Sequence, residues 1–209
     1  MLPLFPLGTI VFPGENLNLH IFEPRYRQLI HDCETEFVNF GISAFLDNQI
    51  KEYGTEIELM EITNRYPDGK LDVKTKGKRL YKMSDFKNPM RGKLYAGAKV
   101  EYIELEEDDA IFSERILLVE QIYKLYEILN VQADISAELE FLSFKVGHKV
   151  GLSIQQEYQL LTLSSESARI NFILDHLTRS IPILKGAEDT KSKIQMNGHF
   201  RNYDPLDFK

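Results

Sequence analysis

The spacing of apolar residues changes once along the chain, and that change constrains the fold more than any single motif. Up to about residue 105, apolar residues alternate or cluster in short runs between turn signals, the mark of strands. Beyond the acidic run Glu104–Asp109 they recur at helical spacing. A chain of 209 residues with a β-rich first half and an α-rich second half reads as α+β. The expected division is a β subdomain at 1–105, a helical subdomain at 106–185 and a mobile tail at 186–209.

Within the first half, Thr9–Phe12 is expected as a strand closed by the turn pair Pro13-Gly14, and Leu17–Phe22 as the next strand. Pro24 suits the first turn of a helix, where its missing N–H costs nothing. Tyr26, Leu29, Ile30 and Cys33 then share one helical face. Further strands are expected over Phe37–Leu46, Thr55–Ile62, Leu71–Lys76, Arg79–Phe86 and Tyr95–Leu105, with breaks at Gly77 and Gly92. Pro67-Asp68-Gly69 is the clearest hairpin turn: proline presets φ and glycine accepts a positive φ.

In the second half, a helix over 112–130 carries two apolar stripes. Phe112, Ile116, Val119, Tyr123 and Tyr126 form one; Leu118, Ile122, Leu125 and Leu129 form the other. The expectation is burial on two sides, for a core or a dimer. A helix over 137–149 presents Ala137, Phe141, Phe144 and His148. Ser153 and Gln156 have capping-box spacing. Ser164 or Ser165 caps a last helix bearing Ile170, Ile173, Leu174 and Leu177, which Pro182 is expected to follow.

The chemistry of catalysis is hard to find. There is no Walker-type phosphate loop, no GxGxxG and no GxSxG nucleophile elbow. His20, His31, His148, His176 and His199 are scattered, without metal-ligand spacing. The lone Cys33 excludes an intramolecular disulfide and reads as a buried structural thiol. No Lys or Arg precedes Arg25 and prolines interrupt the apolar start, so neither a secretory signal nor a membrane span is expected, and the setting is cytoplasmic. No cofactor or metal is implied. An enzyme assembled from scattered Asp, Glu and His has no locatable site.

Net charge is -7, which excludes the chain as a whole from electrostatic nucleic-acid binding. Residues 70–93 nevertheless carry a local +7. Lys74, Lys76, Lys78, Arg79 and Lys82, with Tyr81 and Phe86 among them, have the composition of a single-stranded RNA contact. The competing reading is solvated strand positions, where lysines also discourage edge-to-edge aggregation.

The opening LPLFPLGTIVFPGENLNLHIFEPRYRQLI closely resembles the start of the LON N-terminal domain, the substrate-binding domain of ATP-dependent Lon proteases. PLFPL stands at Pro3–Leu7, FPG at Phe12–Gly14 and IFEPRY at Ile21–Tyr26. Gly54-Thr55, Pro67–Leu71 and Gly77–Leu80 follow the family pattern, with Leu80 replacing its usual aromatic. Residues 151–177 resemble its helical end. The resemblance implies an N-terminal PUA-like β-barrel with one short helix, followed by a C-terminal helical bundle. It turns Phe5, Val11, Phe12, Leu19 and Phe22 mostly inward and makes Glu23-Pro24 a strand-to-helix corner.

No position matches the ATPase or peptidase residues of Lon proteases. The resemblance therefore implies a non-enzymatic recognition module for unfolded or extended polypeptide, acting in protein quality control or regulation of proteolysis beside a protease or chaperone. Its groove is expected between barrel and helices, with surface contacts at Glu23, Arg25 and Arg27. The alternative is a PUA-like RNA-binding protein using the basic 70–93 segment.

Overall fold

The computed structural model describes residues 1–105, 108–132 and 134–199. It is α+β. Six strands, β1 (Leu2–Leu4), β2 (Asn16–Ile21), β3 (Phe40–Leu46), β4 (Gln49–Arg65), β5 (Leu71–Lys87) and β6 (Ala96–Ile103), form one mixed sheet. Helix α1 (Pro24–Glu36) joins β2 to β3. Helices α2 (Phe112–Leu129), α3 (Leu142–Val146), α4 (Ile154–Thr162) and α5 (Glu166–His199) follow the sheet.

The strand order is β2-β5-β4-β3-β1-β6, and β6 also pairs with β5. Hydrogen bonding therefore returns on itself through β5, β4, β3, β1 and β6, while among the described residues β2 pairs with β5 alone. The apolar N-terminus is clamped inside: β1 runs parallel to β3 at Leu4↔Gly41 and antiparallel to β6 at Leu2↔Ala98. Phe5 and Leu7 donate their N–H groups to Gly41 and Ser43 at 2.8 and 3.2 Å, and Pro6, which has none, sits between them.

Thr9–Phe12 is not a strand. Ile10, Val11 and Phe12 form a buried connector whose backbone is satisfied piecemeal. Thr55 Oγ1 donates to the Val11 carbonyl, and beyond the turn Gly14 N–H donates to Gly77 at 2.9 Å. Gly77 is correspondingly no break. β5 runs through it, and its missing side chain is what admits the Phe12 carbonyl, which a Cβ would strike. Pro67–Gly69 turns as expected, with Gly69 at φ +83°, and joins two strands far longer than their alternating cores.

The helical half departs in three places. Helix α2 buries Leu118, Ile122, Leu125 and Tyr126 but exposes Phe112, Ile116, Tyr123 and Leu129, so it is covered on one side, by α5. The helix expected over 137–149 shrinks to Leu142–Val146 plus a single 3-10 turn, because Phe141 takes a left-handed conformation at φ 48° and starts it late. Pro182 does not end α5. Ile181 and Leu184, on either side of it, still pack on the helical core, and α5 continues through residues once expected as tail to His199. Residues 200–209 of that tail lie outside the described residues. The caps are as read: Ser153 and Gln156 complete a capping box, and Ser165 accepts from Ala168 N–H at 3.1 Å.

Two main cores result. Tyr26, Leu29, Ile30 and Cys33 of α1 pack with Phe5, Phe40, Ile57 and Val73 of the sheet. The helices share the other with Ile10, Phe12, Ala44, Leu46 and Leu80, so this second core crosses the boundary that the change in periodicity suggested. Phe22, expected inside, is 58% exposed.

Candidate functional site

The corner between β2 and α1 places Glu23 and Arg25 together. Glu23 stands at the N-cap of α1 without capping it. Its carboxylate accepts from Arg25 Nε at 2.9 Å, and the Arg25 guanidinium lies 4.6 Å from the Tyr26 ring centre. Arg27 is occupied differently. Its Nη1 donates to the Asp68 carbonyl at 2.9 Å and fastens α1 to the β4–β5 turn. Exposed Phe22 adjoins this corner.

The basic strand loses most of its electrostatic meaning in three dimensions. β4 lies beside β5 and presents a carboxylate to nearly every cation. Lys74 pairs with Glu61 at 3.0 Å, Lys78 with Glu58 at 3.1 Å, Arg79 with Glu56 at 2.7 Å and Lys82 with Glu52 at 3.6 Å. Of the five residues singled out, Lys76 alone has no carboxylate within 4.0 Å among the described residues. Lys93 is likewise bound, to Asp32 at 2.8 Å and Glu36 at 3.4 Å. A Ser-x-x-Lys spacing at Ser84–Lys87 falls on this strand; both residues are exposed, and Lys87 is paired with Asp85 at 2.7 Å.

A cleft of about 630 Å3 opens at the opposite end of α1 from the corner. Its walls come from Met1–Pro3, the α1 C-terminus from Glu36 to Asn39, and β6 around Val100 and Tyr102, with Met90 and Tyr95 below. Among the described residues no wall comes from the C-terminal helices, so this cleft is distinct from the groove expected between sheet and helices. A second hollow of about 380 Å3, lined by Leu125, Leu129, Val150, Ile183 and Leu184, lies between α2, α5 and the turn that follows the 3-10 helix.

Phe37 dominates the rim of the larger cleft. It is the C-cap of α1, in left-handed conformation at φ 54°, and it is 91% exposed. Glycine or asparagine normally takes that position. A phenylalanine there is unfavourable twice, by backbone conformation and by wetting an aromatic ring. Met1 and Val38 extend the apolar rim.

The charged groups in the walls are already satisfied. Glu56 accepts two bonds from Arg79, at 2.7 and 3.1 Å, and one from Tyr102 at 2.9 Å. Burial pushes its carboxyl up, but the Arg79 and Tyr102 hydrogen bonds outweigh this and hold it below the usual range. Behind the wall residues Lys93 and Tyr95, Asp32 is balanced in the same way, burial opposing hydrogen bonds from these two, the Tyr95 bond 2.6 Å long, and its carboxyl also ends low. The walls mix polar and apolar surface, and the apolar contact on offer lies at the rim, in Phe37, Met1 and Val38. Sequence reading missed it; the available signal was the bulky Phe37 where a helix had to stop.

Elsewhere the chemistry is quiet. Cys33 is buried, and burial pushes its thiol up to about 12, so it is no nucleophile at neutral pH. Among the described residues no three His, Cys, Asp or Glu side chains are grouped to hold a metal, and no helix is long and apolar enough to cross a membrane.

A family model described as the ATP-dependent protease La (LON) substrate-binding domain matches residues 1–179. Among solved structures, a Lon N-terminal domain protein from Xanthomonas campestris superimposes with a TM-score of 0.67 at 26% identity, covering 83% of this chain and 96% of that one. The N-terminal domain of Mycobacterium avium complex Lon protease superimposes with a TM-score of 0.60 at 19% identity, covering 85% of this chain and 97% of that one, a likeness of fold.

Proposed function

The chain belongs to the Lon substrate-binding domain family, and from that premise we propose that it is a recognition module for unfolded or extended polypeptide, acting without catalysis of its own. The observation that carries this reading is Phe37, held almost fully exposed beside Met1 and Val38 as the apolar rim of a cleft whose charges are internally paired. Such a surface rewards exposed apolar side chains and asks for no particular charge. That is the chemistry shared by unfolded chains of different sequence.

The closed strand pairing is taken as a small PUA-like barrel, and α2–α5 as the helical bundle that buttresses it. Glu23, Arg25 and Arg27 are proposed as flanking contacts. They lie about 20 Å from the cleft, the length of α1, within reach of one extended segment. The proposed partners are a protease or chaperone that receives the captured chain in quality control, and the proposed setting is the cytoplasm. The non-enzymatic reading is supported by the protonated Cys33 thiol and by the pairing of Asp32 and Glu56 with cations.

Fluorescence anisotropy against a labelled, permanently unfolded polypeptide tests the proposal. Binding should survive physiological salt. Phe37→Asn should weaken it by about tenfold, the effect of a modest aromatic hot spot. A Glu23/Arg25/Arg27 triple alanine variant should weaken it less. Absence of binding would overturn the proposal; unchanged affinity in Phe37→Asn would remove the cleft from it.

A further inference from the structure

Strand β2 stands apart from the rest of the sheet. Its register with β5 runs from Asn16↔Lys76 to Ile21↔Leu71. Gly77 N–H donates to the Glu15 carbonyl at 2.8 Å, which fixes the alternation. The backbone groups of Leu17, Leu19 and Ile21 face β5, and those of Asn16, Asn18 and His20 point away from it. Among the described residues, β5 supplies every strand partner of β2.

Sheet edges are normally blunted by lysine, proline, a bulge or a covering element. NLNLHI has no Lys, Arg, Asp, Glu or Pro, its His20 is engaged by Asp72 at 2.6 Å, and its register is unbroken. Residues 58–65 of β4, which extend past their β3 partner and pair with β5 alone among the described residues, carry Glu58, Glu61 and Arg65 along their open edge; β2 has no such residues along its own. On its inner face Leu17 and Leu19 remain half-buried against the α1 core. A further strand with apolar residues at alternate positions would finish covering them. Beyond the end of β2 lie exposed Phe22 and the Glu23–Arg25 pair.

We propose that an extended segment of a bound polypeptide adds to β2 as a new edge strand, so that part of recognition is made by backbone hydrogen bonds and tolerates any sequence with alternating apolar residues. This rests on the reading that the ligand is an extended polypeptide.

The test is anisotropy of the full chain with a short labelled peptide of alternating apolar residues, beside two versions N-methylated at the odd or at the even positions. An added strand uses only alternate N–H groups. One version should therefore bind at least about tenfold more weakly, and the other within about twofold of the parent. In the protein, Asn18→Pro removes an outward N–H without touching the β5 ladder, and should also weaken the parent by up to about tenfold. If both N-methylated peptides bind alike, strand addition is wrong while polypeptide recognition stands. If the parent peptide and the unfolded polypeptide both fail to bind, both readings fall. A dimer that Asn18→Pro abolishes, with peptide affinity unchanged, would reassign the edge to a second copy of this chain. Should Asn18→Pro fail to fold, the N-methylated pair on the unmodified protein still decides.

Discussion

The outer face of β4–β5 and the junction of α3 with α5 are both held by carboxylate–cation pairs, yet the two regions use them for different ends. On the sheet, Lys74–Glu61, Lys78–Glu58 and Lys82–Glu52 stand in solvent, each side chain at least 40% exposed. Such pairs add little stability, since long side chains must be ordered for a screened attraction. Their effect is on charge: they turn a basic strand into a nearly neutral face. At the helix junction, Glu166 and Arg169 are both fully buried, 2.9 Å apart. Glu166 also accepts from Ser143 N–H and Oγ at 2.8 and 2.6 Å, and Arg169 donates to the Leu163 and Ser164 carbonyls at 2.7 and 3.0 Å. That network ties α3 to the start of α5. Neither region offers charge to a ligand. The surfaces proposed for binding, Phe37 and β2, are those where charge is missing or already paired.

The contrast is broken most directly at Arg169. Arg169→Ala would strand Glu166 as an uncompensated buried charge, and a loss of about 3–5 kcal/mol is expected in urea unfolding. A loss below about 1 kcal/mol would mean that the junction behaves like the surface pairs.

His148 lies between these extremes. Its Nε2 faces Glu15 at 3.2 Å and its Nδ1 faces Glu157 at 2.8 Å, so only the imidazolium donates to both and latches the turn after Phe12 to α4. The Glu15 hydrogen bond, opposed by burial and aided by Glu157, raises its pKa to about 9. The folded value lies above the unfolded one. The contribution is therefore fully present below about pH 6.5 and is lost as pH rises through about 9. It should amount to about 1–2 kcal/mol after solvent screening. His148→Gln should flatten stability between those pH values; an unchanged slope would mean the latch contributes nothing.

Smaller still is the stability effect of Phe37→Asn, expected between zero and about +1 kcal/mol because asparagine tolerates the left-handed conformation. The same variant that weakens polypeptide binding should thus melt no earlier than the parent. Smallest are Lys74→Ala, Lys78→Ala and Lys82→Ala, each under about 1 kcal/mol. The unmodified protein should not retain labelled single-stranded RNA at physiological salt; steeply salt-dependent retention would return function to this strand.

How much of this could be read from residues alone depends on how local its cause is. The buried face of α1, the Gly69 turn and the Ser153 capping box each follow from side chains within a few positions of one another, and each stands where its spacing puts it. The proline-rich start was legible as structure, and its motif as family, because prolines and glycines restrict the backbone wherever they occur. The strand at Thr9–Phe12, the two-sided burial of α2 and the stop at Pro182 were misjudged for one reason. Each depended on what another element does there: Gly77 admitting the Phe12 carbonyl, α5 covering only one side of α2, and the helical core holding Ile181 and Leu184.

The candidate site divides in the same way. Sequence determined that Lys74–Lys82 would be basic and exposed and that Glu23 and Arg25 would stand at a corner, because composition and a helix start decide such things. Tertiary structure decided that β4 would neutralise the basic strand, that one Arg27 nitrogen would fasten α1 to the hairpin and that β2 would keep an open edge. It also placed Phe37 beside the N-terminal strand and β6 to make a cleft. Charge and strand pairing act between residues that are distant along the chain, so their outcome is set only when the sheet closes.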